Sequence, residues 1–411
     1  MTMRLKWEWE PASDVRLPEF AATWCRLNIE LNGTPATLVE RRDGSGGLRH
    51  GIDVAAYPLA EFLAVNWWRL NAISHSPADR GVSLIGAGEG FAWPDLTLRN
   101  DRGLVWASLR QRDKAPEHVR FLTQTETVLD AESVLSSAAE FIDDTVRRLQ
   151  DAGIGRSLLQ DEWAAIQQAD SDERDYCLVA AAWGQDPYDT PSDVERLLHR
   201  ADAAIGSAAL LADLSRAVPL DRVESSVQWL KEATESLRPQ TVSFPWTGPL
   251  DWRTAAGLQP WTIGYEGART FRRLLDLAPS ASLSVEELLT VRQTNSPAPT
   301  NVDGLIDAEG SSRLAVVVGA TVGSTAKRFA AARAIGRQAF SPTQGLSLLT
   351  RGVRYTERTE RAFAAELLAP AIGIEAVLAG DFSDEGILRA AKHFDVNPTL
   401  IQHQVENQIA A

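Results

Sequence analysis

The 411-residue sequence contains no long hydrophobic run. A membrane-spanning helix needs roughly 18 to 20 consecutive apolar residues, and no stretch of the chain approaches that length. The opening residues, Met-Thr-Met-Arg-Leu-Lys, also lack the apolar core of a secretory signal peptide. We therefore expect a cytoplasmic protein that has no membrane partner.

Cysteine is equally scarce, since the chain has only Cys25 and Cys177. The two are far apart in sequence, and neither has a Cys or His neighbour at the spacing of a metal site. The sequence therefore predicts two buried free thiols.

Positive charge is in deficit, with 41 basic against 55 acidic residues and a formal net charge of −14. Only five of the basic residues are lysines. A nucleic-acid backbone would be repelled by such a chain overall. Nucleic-acid binding would therefore need a local basic patch.

What is present is typical of a folded protein of two or three domains: 44% of residues are hydrophobic and 23% are charged. Residues 1–125 have the alternating pattern of strands, with one hairpin turning at Asn32-Gly33 and another at residues 100–103. This region is rich in tryptophan: Trp7, Trp9, Trp24, Trp67, Trp68, Trp93 and Trp106. These rings could fill a small β core or line a binding face.

Residues 126–238 have helical periodicity, beginning at Asp130 as a candidate helix cap. Residues 239–261 are broken by four prolines and two glycines and contain three tryptophans, which predicts a packed connector. Residues 262–411 then form the last predicted domain, which begins with an amphipathic helix and continues through an apolar strand at 314–318. The predicted fold class is α+β: a Trp-rich β domain, a helical domain, and a mainly helical C-terminal domain with a short sheet.

The helix after that strand carries Arg333-Ala-Ile-Gly-Arg337. Residues four apart on a helix share a face, and a metallopeptidase helix would have His, Glu and His at positions 333, 334 and 337. A second predicted helix contains Ala362-Phe-Ala-Ala-Glu-Leu-Leu-Ala-Pro370. The spacing of a zinc peptidase is present, but its ligands are not.

Several further segments match the same frame, and they occur in a fixed order: Gly264-Tyr-Glu-Gly-Ala-Arg269, Arg328-Phe329, Ala390-Ala-Lys-His-Phe-Asp-Val-Asn-Pro398 and Ile401-Gln-His-Gln-Val-Glu-Asn407. Together with the 362–370 stretch, they make residues 262–405 resemble the ImmA/IrrE family of bacterial zinc metallopeptidases. Residues 1–261 resemble no family that we can name.

The resemblance implies that the family's two zinc-binding histidines align with Arg333 and Arg337. Its catalytic glutamate aligns with Ala334, and its carboxylate ligand aligns with Thr359. A guanidinium has no lone pair for a metal, and alanine cannot accept a proton from water. We therefore expect no catalytic residue, metal or cofactor at these positions.

The two arginines have two open interpretations. They could pair with Glu357, Glu360 or Glu366 and so join the two site helices in place of a metal. Alternatively, both side chains could point to solvent.

The same region also has a local excess of positive charge, because residues 311–361 contain nine basic and two acidic residues. We predict a partner-binding cleft formed by Lys327, Arg328, Arg333, Arg337, Arg351, Arg354, Arg358 and Arg361. Intramolecular pairing with acidic helices is the equal alternative.

We expect a catalytically inactive, ImmA/IrrE-like pseudo-metallopeptidase. It would act as a protein-binding regulatory or scaffold module in a bacterial stress-response, mobile-element or phage-defence system. Its partner would be a repressor-like protein or a defence-complex subunit. Two alternatives stay open: a zinc metallopeptidase with non-standard ligands that cleaves a repressor, and a nucleic-acid-binding subunit that uses the basic patch 311–361.

Overall fold

The computed structural model describes residues 1–12, 15–41, 47–72, 81–101, 103–112, 119–237, 259–309, 313–342, 344–352 and 354–410. These residues form a mixed α+β structure with several small sheets, as predicted. Within the described ranges, no helix combines the length and the apolar character that crossing a membrane requires.

The chain divides into two compact units, Met1–Thr190 and Pro191–Ala411. The division lies inside the predicted helical domain 126–238, so that the helices of this stretch belong to two different units. The predicted connector 239–261 lies outside the described residues as far as residue 258. Its last two residues, Pro260 and Trp261, begin a helix.

The first unit has eleven strands in its described ranges: β1 (Met3–Trp9), β2 (Trp24–Leu31), β3 (Thr34–Pro35), β4 (Val39–Arg41), β5 (Leu48–Arg49), β6 (Ile52–Ala55), β7 (Val82–Ser83), β8 (Asp95–Asp101), β9 (Leu104–Arg110), β10 (Val119–Phe121) and β11 (Thr125–Asp130). They form three antiparallel sheets, ordered β1-β2-β3 with β6 also beside β2, β10-β4-β5, and β11-β9-β8-β7. Both predicted hairpins are present as β2–β3 and β8–β9. The first turns at Asn32 and Gly33, whose φ angles of 49° and 82° are the left-handed values that a tight hairpin turn needs.

The described helices of this unit are α1 (Pro18–Ala22), α2 (Ala56–Val65), α3 (Trp67–Asn71), α4 (Ala131–Asp151), α5 (Leu158–Gln168) and α6 (Ser171–Ala182). Asp130 caps α4, because its carboxylate accepts a hydrogen bond of 3.1 Å from the Ser133 N–H. The prediction that residues 1–125 form strands is wrong at α1, α2 and α3. The segment that became α2 is apolar almost throughout and mostly buried, so it has no alternation from which to choose between helix and strand.

Five of the seven tryptophans in residues 1–125 belong to the core of the first unit, whereas Trp24 and Trp106 are half-buried and lie outside the core cluster. Trp68 and Trp93 are buried, and Trp7, Trp9 and Trp67 pack against the buried cluster. Both cysteines are free and buried, as predicted.

The second unit contains one described sheet with the order β12-β14-β13-β15, formed by β12 (Thr290–Gln293), β13 (Val302–Glu309), β14 (Arg313–Val318) and β15 (Gly345–Thr350). β12 is parallel to β14, and the other neighbours are antiparallel. Its described α-helices are α7 (Ser192–Ile205), α8 (Ala208–Ala217), α9 (Val223–Ser236), α10 (Pro260–Leu274), α11 (Ser324–Phe340), α12 (Tyr355–Leu368), α13 (Ala371–Leu378), α14 (Asp384–Phe394) and α15 (Pro398–Gln404).

Helix α12 is the centre of this unit, because α10 and α11 both pack closely against it. Two glycines allow the close approach. A Cβ on Gly264 of α10 would lie 2.5 Å from the backbone oxygen of Thr359, and one on Gly336 of α11 would lie 2.8 Å from the Phe363 ring. The side chains that α11 and α12 direct at each other are therefore forced into contact.

Candidate functional site

The candidate site lies where α11 crosses α12, and it is a buried pairing of two arginines with one carboxylate. Arg333 and Arg337 are 1% and 2% exposed, and Glu360 of α12 is 4% exposed. The Nε of Arg337 donates to Oε1 of Glu360 at 2.8 Å, and its Nη2 donates to Oε2 at 3.2 Å. Arg333 Nη2 donates to the same Oε2 at 3.2 Å. Glu360 therefore joins both arginines of α11 to α12.

The arginines also bind the edge strand of the sheet. Arg333 Nη2 donates to the Thr350 carbonyl oxygen at 2.7 Å, and Arg337 donates to the Leu348 carbonyl oxygen. The Leu348 N–H in turn donates to Asp213 of α8 at 2.8 Å. Since β15 is the last strand of its sheet, these groups occupy backbone positions at which an added strand would pair.

A further carboxylate, Asp303 of β13, completes the charge balance. Asp303 forms an ion pair with Arg333 and a second one, at 2.5 Å, with the exposed Arg351. Burial alone would lower the pKa of Arg337, but attraction and hydrogen bonds from Glu360, with smaller contributions from Asp213 and Glu357, raise it on balance. The surrounding carboxylates thus favour the cationic form of Arg337.

The other two positions implied by the resemblance carry no reactive group. Ala334 is fully buried. Thr359 is buried as well, and its hydroxyl donates to the Tyr355 carbonyl oxygen of its own helix at 3.0 Å. Neither residue can activate a water molecule.

The two remaining candidate carboxylates have other roles. Glu357 accepts from the Thr350 hydroxyl at 2.5 Å and from the Arg354 N–H at 3.3 Å. A Cβ on Gly352 would overlap its carboxylate, so a larger residue at this position would displace the Glu357 side chain. Glu366 forms a separate cluster, with its oxygens accepting from Arg269, Gln404, Gln408 and the Ala371 N–H. Of the three predicted partners, only Glu360 pairs with the arginines, and the solvent-facing alternative is wrong.

The chemistry of this site is that of a structural ion-pair network. The lone pairs that this network could offer a metal belong to carboxylates that already bind guanidinium groups. The positive charge of those guanidinium groups would repel a metal cation. In the described ranges, no group of three or more His, Cys, Asp or Glu side chains could hold a metal ion.

The predicted cleft of eight basic residues is not one continuous surface, which corrects our expectation. Arg328, Arg333 and Arg337 are buried; Arg328 donates to the Leu283 carbonyl oxygen and pairs with Asp395. The rest are divided among several positions. Lys327 bonds to Gln293, Arg351 pairs with Asp303, and Arg354 precedes α12 as its N-cap.

Of the eight, Arg358 and Arg361 both line one accessible groove. The positive excess of residues 311–361 is largely met by carboxylates from elsewhere in the second unit, such as Asp303, Glu309 and Asp395. Sequence patterns alone did not identify Asp303 or Asp213 as part of the site. Asp213 did leave a signal, because it is an acidic residue among Leu210, Leu211 and Leu214 on the buried side of α8.

The sequence matches no protein-family model, and no curated protein matches it.

Proposed function

We propose that the chain is a cytoplasmic, catalytically inactive pseudo-metallopeptidase that works as a protein-binding module. In this proposal, residues 262–405 form a domain of the ImmA/IrrE type. The partner is a repressor-like protein or a defence-complex subunit in a bacterial stress-response, mobile-element or phage-defence system.

The observation that carries the proposal is the bridge that Glu360 makes between Arg333 and Arg337. In an active peptidase of this type, the metal would join the two helices, and it would also activate water. The ion-pair network can do the first task, since it joins α11, α12 and β15. It cannot do the second, because it has neither an open coordination position nor a free base.

The blocked edge of β15 also supports a role without cleavage. An extended peptide that adds to a sheet edge needs unpaired backbone N–H and C=O groups. At Leu348 and Thr350, these groups bind Arg337, Asp213 and Arg333 instead. Binding of a partner should therefore use another surface of this unit.

The test is to purify the tagged chain from its own bacterial cells and to identify a protein that co-purifies in stoichiometric amount. The purified partner is then incubated with the chain, with and without added Zn²⁺, and its mass is followed by mass spectrometry. The proposal predicts a stable complex and an intact partner. Zinc-dependent cleavage would overturn it in favour of a peptidase. A nucleic acid in place of a protein would favour the alternative that uses the basic patch.

A further inference from the structure

A groove of about 720 Å³ lies on the outer side of α12. Its walls are formed by α10, α12 and α15 and by the first turns of α11. The floor is mainly apolar, with Phe329, Ala362, Ala365, Leu368 and Leu400 among its residues. Trp261 is 45% exposed at this groove. The groove has the character of a binding surface for apolar side chains.

Two positive charges face the same groove. Arg358 and Arg361 are three residues apart on α12 and both line it, whereas no acidic residue of the described chain does. Arg358 is exposed, and Arg361 is half-buried. Within the described ranges, neither guanidinium has a hydrogen bond or an ion pair.

The half-buried position of Arg361 is unfavourable without a partner. Burial lowers the pKa of Arg361, and the nearby charge of Arg333 lowers it further; these effects outweigh the attraction of Glu357, Glu360 and Asp303. The carboxylates of Glu357 and Glu360 bond instead with Thr350 and with the two arginines of α11. Arg358 and Arg361 therefore lie on the groove side of α12, whereas the nearest carboxylates of the same helix are already bonded on the side that faces α11 and β15.

An incoming carboxylate would supply the missing acceptor. A guanidinium binds a carboxylate through charge-assisted, often bidentate hydrogen bonds. The aliphatic floor beside it favours a ligand that also has apolar side chains, and a helix with apolar groups at intervals of three and four residues fits a groove between helices. A nucleic acid fits less well, because two arginines among the described residues line the groove and the chain has a net charge of −14.

We propose that this groove is the docking site for an acidic, amphipathic helical segment of the partner protein. The apolar side chains of the segment pack on Leu368 and Leu400, and its carboxylates bind Arg358 and Arg361. This inference deepens the proposed function and rests on it, since it names the surface by which a non-catalytic module would bind its partner.

The experiment uses the full chain and a fluorescein-labelled peptide of about 15 residues, built from Leu and Ala on one face and Glu on the other. There are two comparison peptides. One has the same composition in scrambled order, and the other has Lys in place of each Glu. Binding is measured by fluorescence anisotropy with the native protein, with R358E/R361E and with R273E. The last variant is the control, because Arg273 is an exposed arginine of α10 that does not line the groove.

We expect the Glu peptide to bind the native protein and R273E at least about tenfold more tightly than either comparison peptide. R358E/R361E should bind the Glu peptide more weakly than the native protein does, by a similar factor, and should bind the Lys peptide more tightly. That exchange of preference could not result from misfolding.

Equal binding of all three peptides would overturn the inference, and so would binding of the Glu peptide that R358E/R361E leaves unchanged. The same samples are analysed by mass spectrometry. Fragments of a bound peptide would contradict the proposed non-catalytic function but leave the docking site intact. An intact, unbound peptide would contradict the docking site alone.

Discussion

A single carboxylate, that of Glu360, accepts hydrogen bonds from two buried guanidinium groups. Three charged side chains are removed from water at this point, and burial of a charge is costly unless it is paired. The geometry satisfies this condition, since each oxygen of Glu360 has at least one donor. Removal of the negative charge would leave Arg333 with Asp303, and Arg337 with only neutral hydrogen-bond partners and more distant acids.

We expect Glu360→Gln to lower the free energy of unfolding by about 3 to 5 kcal/mol, the usual cost of breaking a buried ion pair from one side. The change keeps the size of the side chain, so the loss would arise from charge and hydrogen bonding. Urea denaturation followed by circular dichroism measures it. Glu375→Gln is the matched control, because Glu375 is an exposed glutamate of α13 in the same unit. If both variants lose the same small amount, the network does not stabilise the fold.

The two cysteines give a second prediction for single residues. Burial, followed by the charges of Glu10 and Asp53, raises the pKa of Cys25 to about 12. Burial and the charge of Glu173 raise that of Cys177 to about 12 as well. At pH 8 both groups are therefore neutral thiols, and the reactive thiolate is absent. The native chain should not react with Ellman's reagent at pH 8, and the unfolded chain should release two equivalents. Rapid reaction of one thiol in the native chain would contradict the burial.

At this scale, the sequence allowed a useful but incomplete prediction of the site. The spacing of Arg333 and Arg337 placed both on one face of a helix, and Glu360 was among three carboxylates considered as their partner. The choice among the three depended on the rotation of α12 about its axis. This rotation places Glu357 and Glu360 on the side that faces α11 and β15, and Glu366 lies more than one turn further along the helix. Asp303 reaches the site through sheet pairing, which no local pattern encodes.

At the scale of elements, the α10–α12 crossing determines which face of α12 points inward. Gly264 allows this crossing, since a Cβ at that position would also lie 2.7 Å from the Ala362 Cβ and 2.8 Å from the Phe363 N. Real contacts are not so short, so any larger residue must separate the helices.

Gly264→Ala should therefore lower the free energy of unfolding by about 1 to 3 kcal/mol, although alanine favours a helix more than glycine does. Thermal unfolding of the variant measures this effect. The control is Gly323→Ala at the start of α11, where a Cβ would meet nothing within 4 Å. That variant should cost less than about 1 kcal/mol. A stabilised Gly264→Ala protein would show that the two helices are not in close contact.

Helices with clear periodicity and good end signals were predicted well from sequence. The stretch 126–238, for which helical periodicity was predicted, contains α4 to α9, and Asp130 caps the first of them. Gly206, with a φ of 63°, ends α7, and Ser207 caps α8. By contrast, α2 was missed because its uniformly apolar sequence gives no periodic contrast.

At the scale of the whole molecule, the two compact units do not follow the three predicted domains. The reason is that the sequence pattern distinguishes strand-forming from helix-forming segments, whereas a compact unit is defined by which segments pack together. Helix α4 packs on β1 of the first unit, and α8 packs on β15 of the second. The helices of residues 126–238 thus pack on sheets of two different units, and a change of periodicity along the chain cannot show on which sheet a helix packs.

In the proposed pseudo-metallopeptidase, the ion-pair network of Arg333, Arg337 and Glu360 stands where the resemblance to ImmA/IrrE peptidases would place a metal. The most direct test is the zinc content of the full chain, purified without a metal-affinity step, by inductively coupled plasma mass spectrometry after incubation with excess ZnSO₄ and gel filtration. We expect less than about 0.1 zinc per chain and an unfolding temperature that EDTA does not change. One zinc per chain, with an unfolding temperature that EDTA lowers, would contradict it.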